Sequence, residues 1–296
     1  MADTNISDDL AAENDDGLVP REVRLHLVSG QPMPSNVLAS SLARIRESLD
    51  LGLKPLLQSV STSSGQMLLA LTSAVDWSEV FRPVREALPA NWPGDPDWEA
   101  ALEIMNDGIP LMWVPREEIV TALMRADDGP ARRDVLVQRA AEIIVDCQAT
   151  LGEVEAAELR PLAGLTGDAC KAMADGHRAA SQALAANVFD TWLRQAARRG
   201  VRLQLPANGW FAYKNVRGQL EPVTGDVSLR NLRAEGALAP AFMALAAFDG
   251  ADAVPAEFTR HATAHAAGPE QYNDANAVIA LMLASSVLRQ AQASGW

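Results

Sequence analysis

The groups best suited to chemistry are concentrated in Glu257-Phe258-Thr259-Arg260-His261-Ala262-Thr263-Ala264-His265, which holds two of the chain's four histidines. Imidazole gives and takes protons under cellular conditions, and guanidinium offers a permanently charged planar fork to phosphate oxygens. On a helix, His261 and His265 share a face. Arg260 and His265 are five apart, roughly 140° around the axis at 3.6 residues per turn. One helix does not focus both groups on a single atom, whereas two copies meeting across a symmetric interface can. Two other readings stay open. Glu257, His261 and His265 make successive four-residue steps, a carboxylate–imidazole stripe that suits Zn²⁺, Fe²⁺ or Mn²⁺ if His177 or Asp252 completes it. Alternatively, Arg260 pairs with Glu257 one turn back, and both histidines are satisfied polar residues of a helix bundle.

A second group lies upstream. Arg198, Arg199, Arg202, Trp210, Tyr213, Lys214 and Arg217 interleave positive charge with aromatic faces, a mixture that holds phosphates and stacks bases. Of these, Arg198, Arg199, Arg202, Lys214 and Arg217 are the candidate RNA-contacting residues. Their plain alternative is an exposed hairpin beside a helix C-terminus, where the dipole favours arginine. His177 and Asn187 read as buried, hydrogen-bonded structure, His26 as solvent-facing, and Trp92, Trp98 and Trp113 as packing. Phosphate-binding glycine loops, dinucleotide fingerprints, HExxH and the Gly-x-Ser-x-Gly elbow are all missing from the 296 residues.

Charge is unevenly spread. The net charge of −13 opposes an overall electrostatic grip on nucleic acid. Residues 1–20 carry six acids and no base, while residues 190–235 carry eight Lys/Arg against four Asp/Glu. A polyanion can therefore be met locally. Cys147 and Cys170 are the only cysteines, too few for a disulfide framework or a four-cysteine zinc site, and both fall in helical patterns as small apolar residues. No apolar run approaches the roughly 20 residues of a membrane span, and the acidic N-terminus does not read as a signal peptide, so a cytoplasmic protein without membrane contact is expected.

These groups must be positioned by helices. Residues 1–20 read as a disordered acidic tail, and Val23, Leu25 and Leu27 alternate as a short strand. Helical spacing starts at Ser35 and continues at 66–75 and 77–88, up to the breaker-rich stretch Pro89–Pro96. A helix near 97–106, a Gly-Ile-Pro turn and a helix opened by Pro115 at its first turn follow. Two long helices then dominate, one with the stripe Leu136, Ala140, Ile143, Ile144, Cys147 and Leu151. The other carries Ala169, Ala172, Met173, Ala180, Ala183, Leu184, Val188 and Trp192. A small β-hairpin is expected over 201–216 around Asn208-Gly209, then helices at about 229–249, 255–267 and 274–293. The expected fold is all-α: a helical bundle over 129–296 with that hairpin inserted, preceded by a smaller, mainly helical region over 21–128.

The Arg, four intervening residues and His of Arg260 to His265, with a polar residue directly after the arginine, resemble the signature of HEPN domains. Ala266-Ala267-Gly268, Tyr272 and an apolar terminal helix beginning near Asn276 are similar to a C-terminal pattern of such proteins, although Ala266 stands where many members carry glycine. The motif covers roughly 255–293, and the helical layout about 130–296. The resemblance implies a HEPN-like bundle acting as a homodimeric, metal-independent endoribonuclease with no cofactor, in a toxin or phage-defence role with a neutralising or regulatory protein partner. In it His265 is general base or acid, Arg260 stabilises phosphorane oxygens, and His261 orients the phosphate or assists proton transfer. From another class comes a non-catalytic helical scaffold that keeps the motif for dimer or bundle structure.

Overall fold

The computed structural model describes residues 86, 88–199, 217, 229–249 and 253–296. All belong to one compact unit, Met33–Trp296. Among the described residues the fold is all-α, without strands. Its helices are α1 (Trp98–Asn106), α2 (Glu117–Met124), α3 (Gly129–Gln138), α4 (Ala140–Gly152), α5 (Arg160–Ala174), α6 (Arg178–Arg199), α7 (Leu229–Ala244), α8 (Arg260–His265) and α9 (Asp274–Ala293). The expected acidic tail, the strand at 23–27, the helices from Ser35 to 75 and the hairpin at 201–216 lie outside the described residues. Only 86 and 88 of the helix expected at 77–88 are described. Among the described residues no helix is long and apolar enough to cross a membrane.

The core is built around α9. Its residues are apolar or small almost all round, the pattern of a helix enclosed by others, and α3, α4, α5, α6 and α7 pack against it. Leu281, Met282, Leu283, Ala284 and Leu288 have no exposed surface. Further, α4 packs on α5 and α5 on α6, so these three and α9 form one mutually packed group. Near the end of α9, Gln292 Oε1 accepts from the backbone N–H groups of Glu155 and Ala156 at 3.0 and 2.8 Å, fixing the α4–α5 connection.

The stretch from Leu88 onward is tied to the same core. The Asn91 amide donates to the carbonyls of Leu111 and Pro115 at 2.9 and 2.7 Å, and Trp92 Nε1 reaches Leu111 O at 3.0 Å. Trp92 stacks on Trp98, and Trp113 Nε1 donates to Gln290 of α9 at 3.0 Å, so all three tryptophans serve packing as expected. The buried guanidinium of Arg132 binds Glu103 of α1 and Asp107 at its C-cap, at 2.8 and 2.7 Å.

Four expectations need correction. The long helix over 136–151 is interrupted at Arg139 (φ −104°, ψ 14°), giving α3 and α4. The stripe over 169–192 is two helices. At the end of α5, Gly176 takes φ +82°, its N–H donates to Met173 O at 3.0 Å, and His177 N donates to Ala172 O at 2.7 Å. This paired closure satisfies the last carbonyls and needs a left-handed residue, which glycine supplies at little strain. His177 and Ala180 are consequently exposed, and so is Asn187. Pro115 lies ahead of α2 rather than in its first turn. Arg116 is held extended because its backbone N–H and side chain both bind Asp146 of α4, the closest contact at 2.6 Å. Cys147 and Cys170 are both buried and unbridged, as expected. Contact with Cys170 and burial push the Cys147 thiol well up, while its partner's is pulled down.

Candidate functional site

The helix expected over 255–267 shortens to the six residues Arg260–His265, and backbone hydrogen bonding explains why. The carbonyls of Pro255 and Glu257 accept from Gln271 Nε2, both at 3.0 Å. Ala256 O accepts from Asn276 Nδ2 at 3.0 Å and from Arg133 at 3.2 Å. These three carbonyls serve side chains instead of the backbone N–H groups four residues on, so no helical turn is built ahead of α8. Thr259 then caps α8, its hydroxyl accepting from Ala262 N at 2.9 Å, as a threonine in extended conformation commonly does.

A buried polar network seats this short helix. Gln271 Oε1 accepts from Thr259 N at 3.3 Å and from the Thr263 hydroxyl at 3.2 Å. From α6, Gln182 Nε2 donates to Thr263 Oγ1 at 2.9 Å and to Gln271 O at 3.1 Å. The Tyr272 hydroxyl donates to Thr263 O, and burial pushes that hydroxyl's pKa up, so it stays a donor. Asn276 closes the network through Gln271 O at 2.8 Å. Arg133 of α3 reaches Asn276 Oδ1 at 2.8 Å; burial lowers its guanidinium's pKa, with the charge of Glu257 opposing. Gln182, Gln271 and Asn276 have no exposed surface. Among the described residues Gln182 Oε1 alone of these amide groups finds no partner; the bonds that are made are directional, so together they set both the position and the rotation of α8.

On this mount the expected residues separate by environment. Arg260 is largely buried, its side chain 16% exposed, and donates to Asp190 Oδ2 of α6 at 3.3 Å. Its carboxylate partner is therefore Asp190, not Glu257. Arg194, one turn along α6, donates to the same oxygen at 3.0 Å. His261 is half-buried and His265 exposed, with their rings edge-to-face and centroids 5.6 Å apart. The structure thus brings the two histidines together and turns Arg260 toward α6.

The metal stripe does not form as expected. Glu257 precedes the Thr259 cap and does not continue the α8 face, and His177 is exposed in the α5–α6 turn. Asp252 lies outside the described residues. Among the described residues no three His, Cys, Asp or Glu side chains are placed to hold a metal ion.

Of the candidate RNA contacts, Arg198 is exposed at the end of α6. Arg199 binds Glu158 at 3.4 Å and lies 4.7 Å over the Trp296 ring. Arg217 donates to Phe242 O at 3.1 Å and lies 4.0 Å over that phenyl ring. Arg202 and Lys214 lie outside the described residues. Sequence reasoning missed Asp190, Arg194, Gln182, Gln271 and Arg133. For Gln182 a signal existed, since it is a long polar side chain set among the buried positions of α6. Nothing in the spacing announces that Asp190 faces Arg260. Compared with protein-family models, curated proteins and solved structures, the chain matches none.

Proposed function

We propose that the protein is a metal-independent endoribonuclease of HEPN type, working as a homodimer, with His265 transferring the proton. The observation that carries this reading is a pair of histidines, one exposed, on a helix whose position buried amides dictate, next to two arginines on one carboxylate. Preorganised donors of this kind are what a phosphoryl-transfer site requires.

RNA brings its own nucleophile. An imidazole takes the 2′-hydroxyl proton, the 2′-oxygen attacks phosphorus, and the P–O5′ bond breaks as a second acid protonates the leaving oxygen. The products are a 2′,3′-cyclic phosphate and a 5′-hydroxyl. His265 serves as one of these groups, His261 orients the phosphate or assists the transfer, and Arg260 supports the charged phosphorane. Because Arg260 and His265 diverge around α8, a second subunit supplies the complementary copy.

The test compares RNA cleavage in EDTA by wild type and His265→Ala, alongside the mass of the protein in solution. Loss of activity by about 10²–10⁴-fold with an unchanged fold is expected of a general acid or base. Equal cleavage by both proteins removes His265, and a strictly monomeric active protein removes the dimeric site.

A second reading has its own support. The Arg260–Asp190 pair joins α8 to α6 within one chain, as a scaffold that uses the motif structurally would. In that case Arg260→Ala lowers the melting temperature sharply, while wild type cuts no RNA.

A further inference from the structure

On the ribonuclease reading, we infer that Arg133 of α3 is a further substrate-binding residue, its guanidinium holding a backbone phosphate of the RNA beside α8. Arg132 and Arg133 are neighbours on one helix, yet their charges are compensated differently. Arg132 is buried against two carboxylates, Glu103 and Asp107. Arg133 is half-buried and bonds to neutral oxygens, Ala256 O and Asn273 Oδ1 at 3.2 Å and Asn276 Oδ1 at 2.8 Å. Among the described residues no carboxylate pairs with it. Burial disfavours its charge, and Glu257 supports that charge only through its field. A partly desolvated cation on neutral acceptors is compensated less well than one on a carboxylate, and a phosphate supplies the missing charge. All three bonds leave from Nη2, so the guanidinium is anchored while Nη1 and Nε make no bond among the described residues. A planar, permanently charged group that is held at one nitrogen and open at the others is preorganised for phosphate oxygens. Its anchors also fix its place. Ala256 and Asn276 belong to the network that seats α8, so Arg133 and the histidine pair stand on one mount. Arg260, by contrast, is turned onto Asp190.

The test is the salt dependence with which the full chain binds a single-stranded 2′-O-methyl RNA oligonucleotide, which lacks the nucleophile and stays intact. Each phosphate contact contributes about 0.7 to the slope of log K against log salt for a single strand. Arg133→Gln is expected to weaken binding about tenfold at low salt and to flatten that slope by about 0.7. Arg133→Lys keeps the charge but not the fork and is expected to recover most of the slope. A residue that only seats α8 would lose affinity with the slope unchanged, and that result overturns the inference. So does equal flattening by Arg160→Gln, the same charge change at an exposed position near the far end of α9, which would mark net charge alone. Where Arg133→Gln fails to fold, the Arg133 Nε–H resonance of wild type decides instead. It is expected to shift as the oligonucleotide saturates the protein, and an unmoved resonance overturns the phosphate contact. Wild type that neither binds nor cuts RNA sinks the ribonuclease reading together with this one. Wild type that cuts RNA, with an unchanged slope in Arg133→Gln, sinks only the Arg133 contact.

Discussion

In α9 fifteen of the twenty residues are buried, most of them apolar or small, whereas the six residues of α8 bury only Ala262 and Thr263. The two helices are separated by a short turn, yet different forces hold them. Burial of apolar surface is non-directional and grows with area, so α9 is secured by many interchangeable contacts. The position of α8 depends on a few bonds from Gln182, Gln271, Tyr272 and Asn276, each of which has one acceptable geometry. Apolar packing makes the fold robust. Directional bonding makes the candidate site exact and locally vulnerable.

That contrast can be broken by mutation. The largest loss is expected for Leu281→Ala, which empties space at a fully buried position of α9. It should destabilise the whole chain by about 4 kcal/mol, read as a shifted midpoint of denaturant unfolding. Intact stability would mean that α9 is not the organiser of the core.

Gln271→Ala should come next, at about 3 kcal/mol, because it strands several buried donors and acceptors at once. Its signature is local. Amide hydrogen exchange should accelerate across 255–266 while the amides of α9 stay protected. Equal acceleration in both would erase the distinction between the two helices.

The smallest effect is expected for Tyr272→Phe, which removes one hydroxyl and leaves the ring in place. About 1 kcal/mol should be lost, with a changed His261–His265 ring contact visible in histidine NMR spectra. If those resonances are unmoved, the Tyr272 bond to Thr263 does not orient the histidine pair.

Several features were legible before any coordinates. The apolar periodicity of 274–293 matches α9 at both ends, and the helix near 97–106 stands one residue from where it was expected. Long runs of buried residues announce themselves because the helical period repeats many times. The breaks at Arg139 and Gly176 were less legible, since apolar spacing carries across a turn when the next helix returns to the same core. Shorter still, α8 has too few residues for periodicity, and its ends are decided by Gln271 and Asn276, which come later in the chain.

By itself, the amino-acid order determined that these residues build helices around an apolar terminal segment, and that Arg260, His261 and His265 stand close together. Both are local properties, set by side-chain type and spacing. Only the tertiary structure decided that Asp190 holds Arg260, that Glu257 leaves the histidine face, and that His265 is exposed while Arg260 is largely covered. Those outcomes depend on bonds between groups up to 143 residues apart, such as Arg133 to Asn276. The geometry of a hydrogen bond is not written in the spacing of either partner.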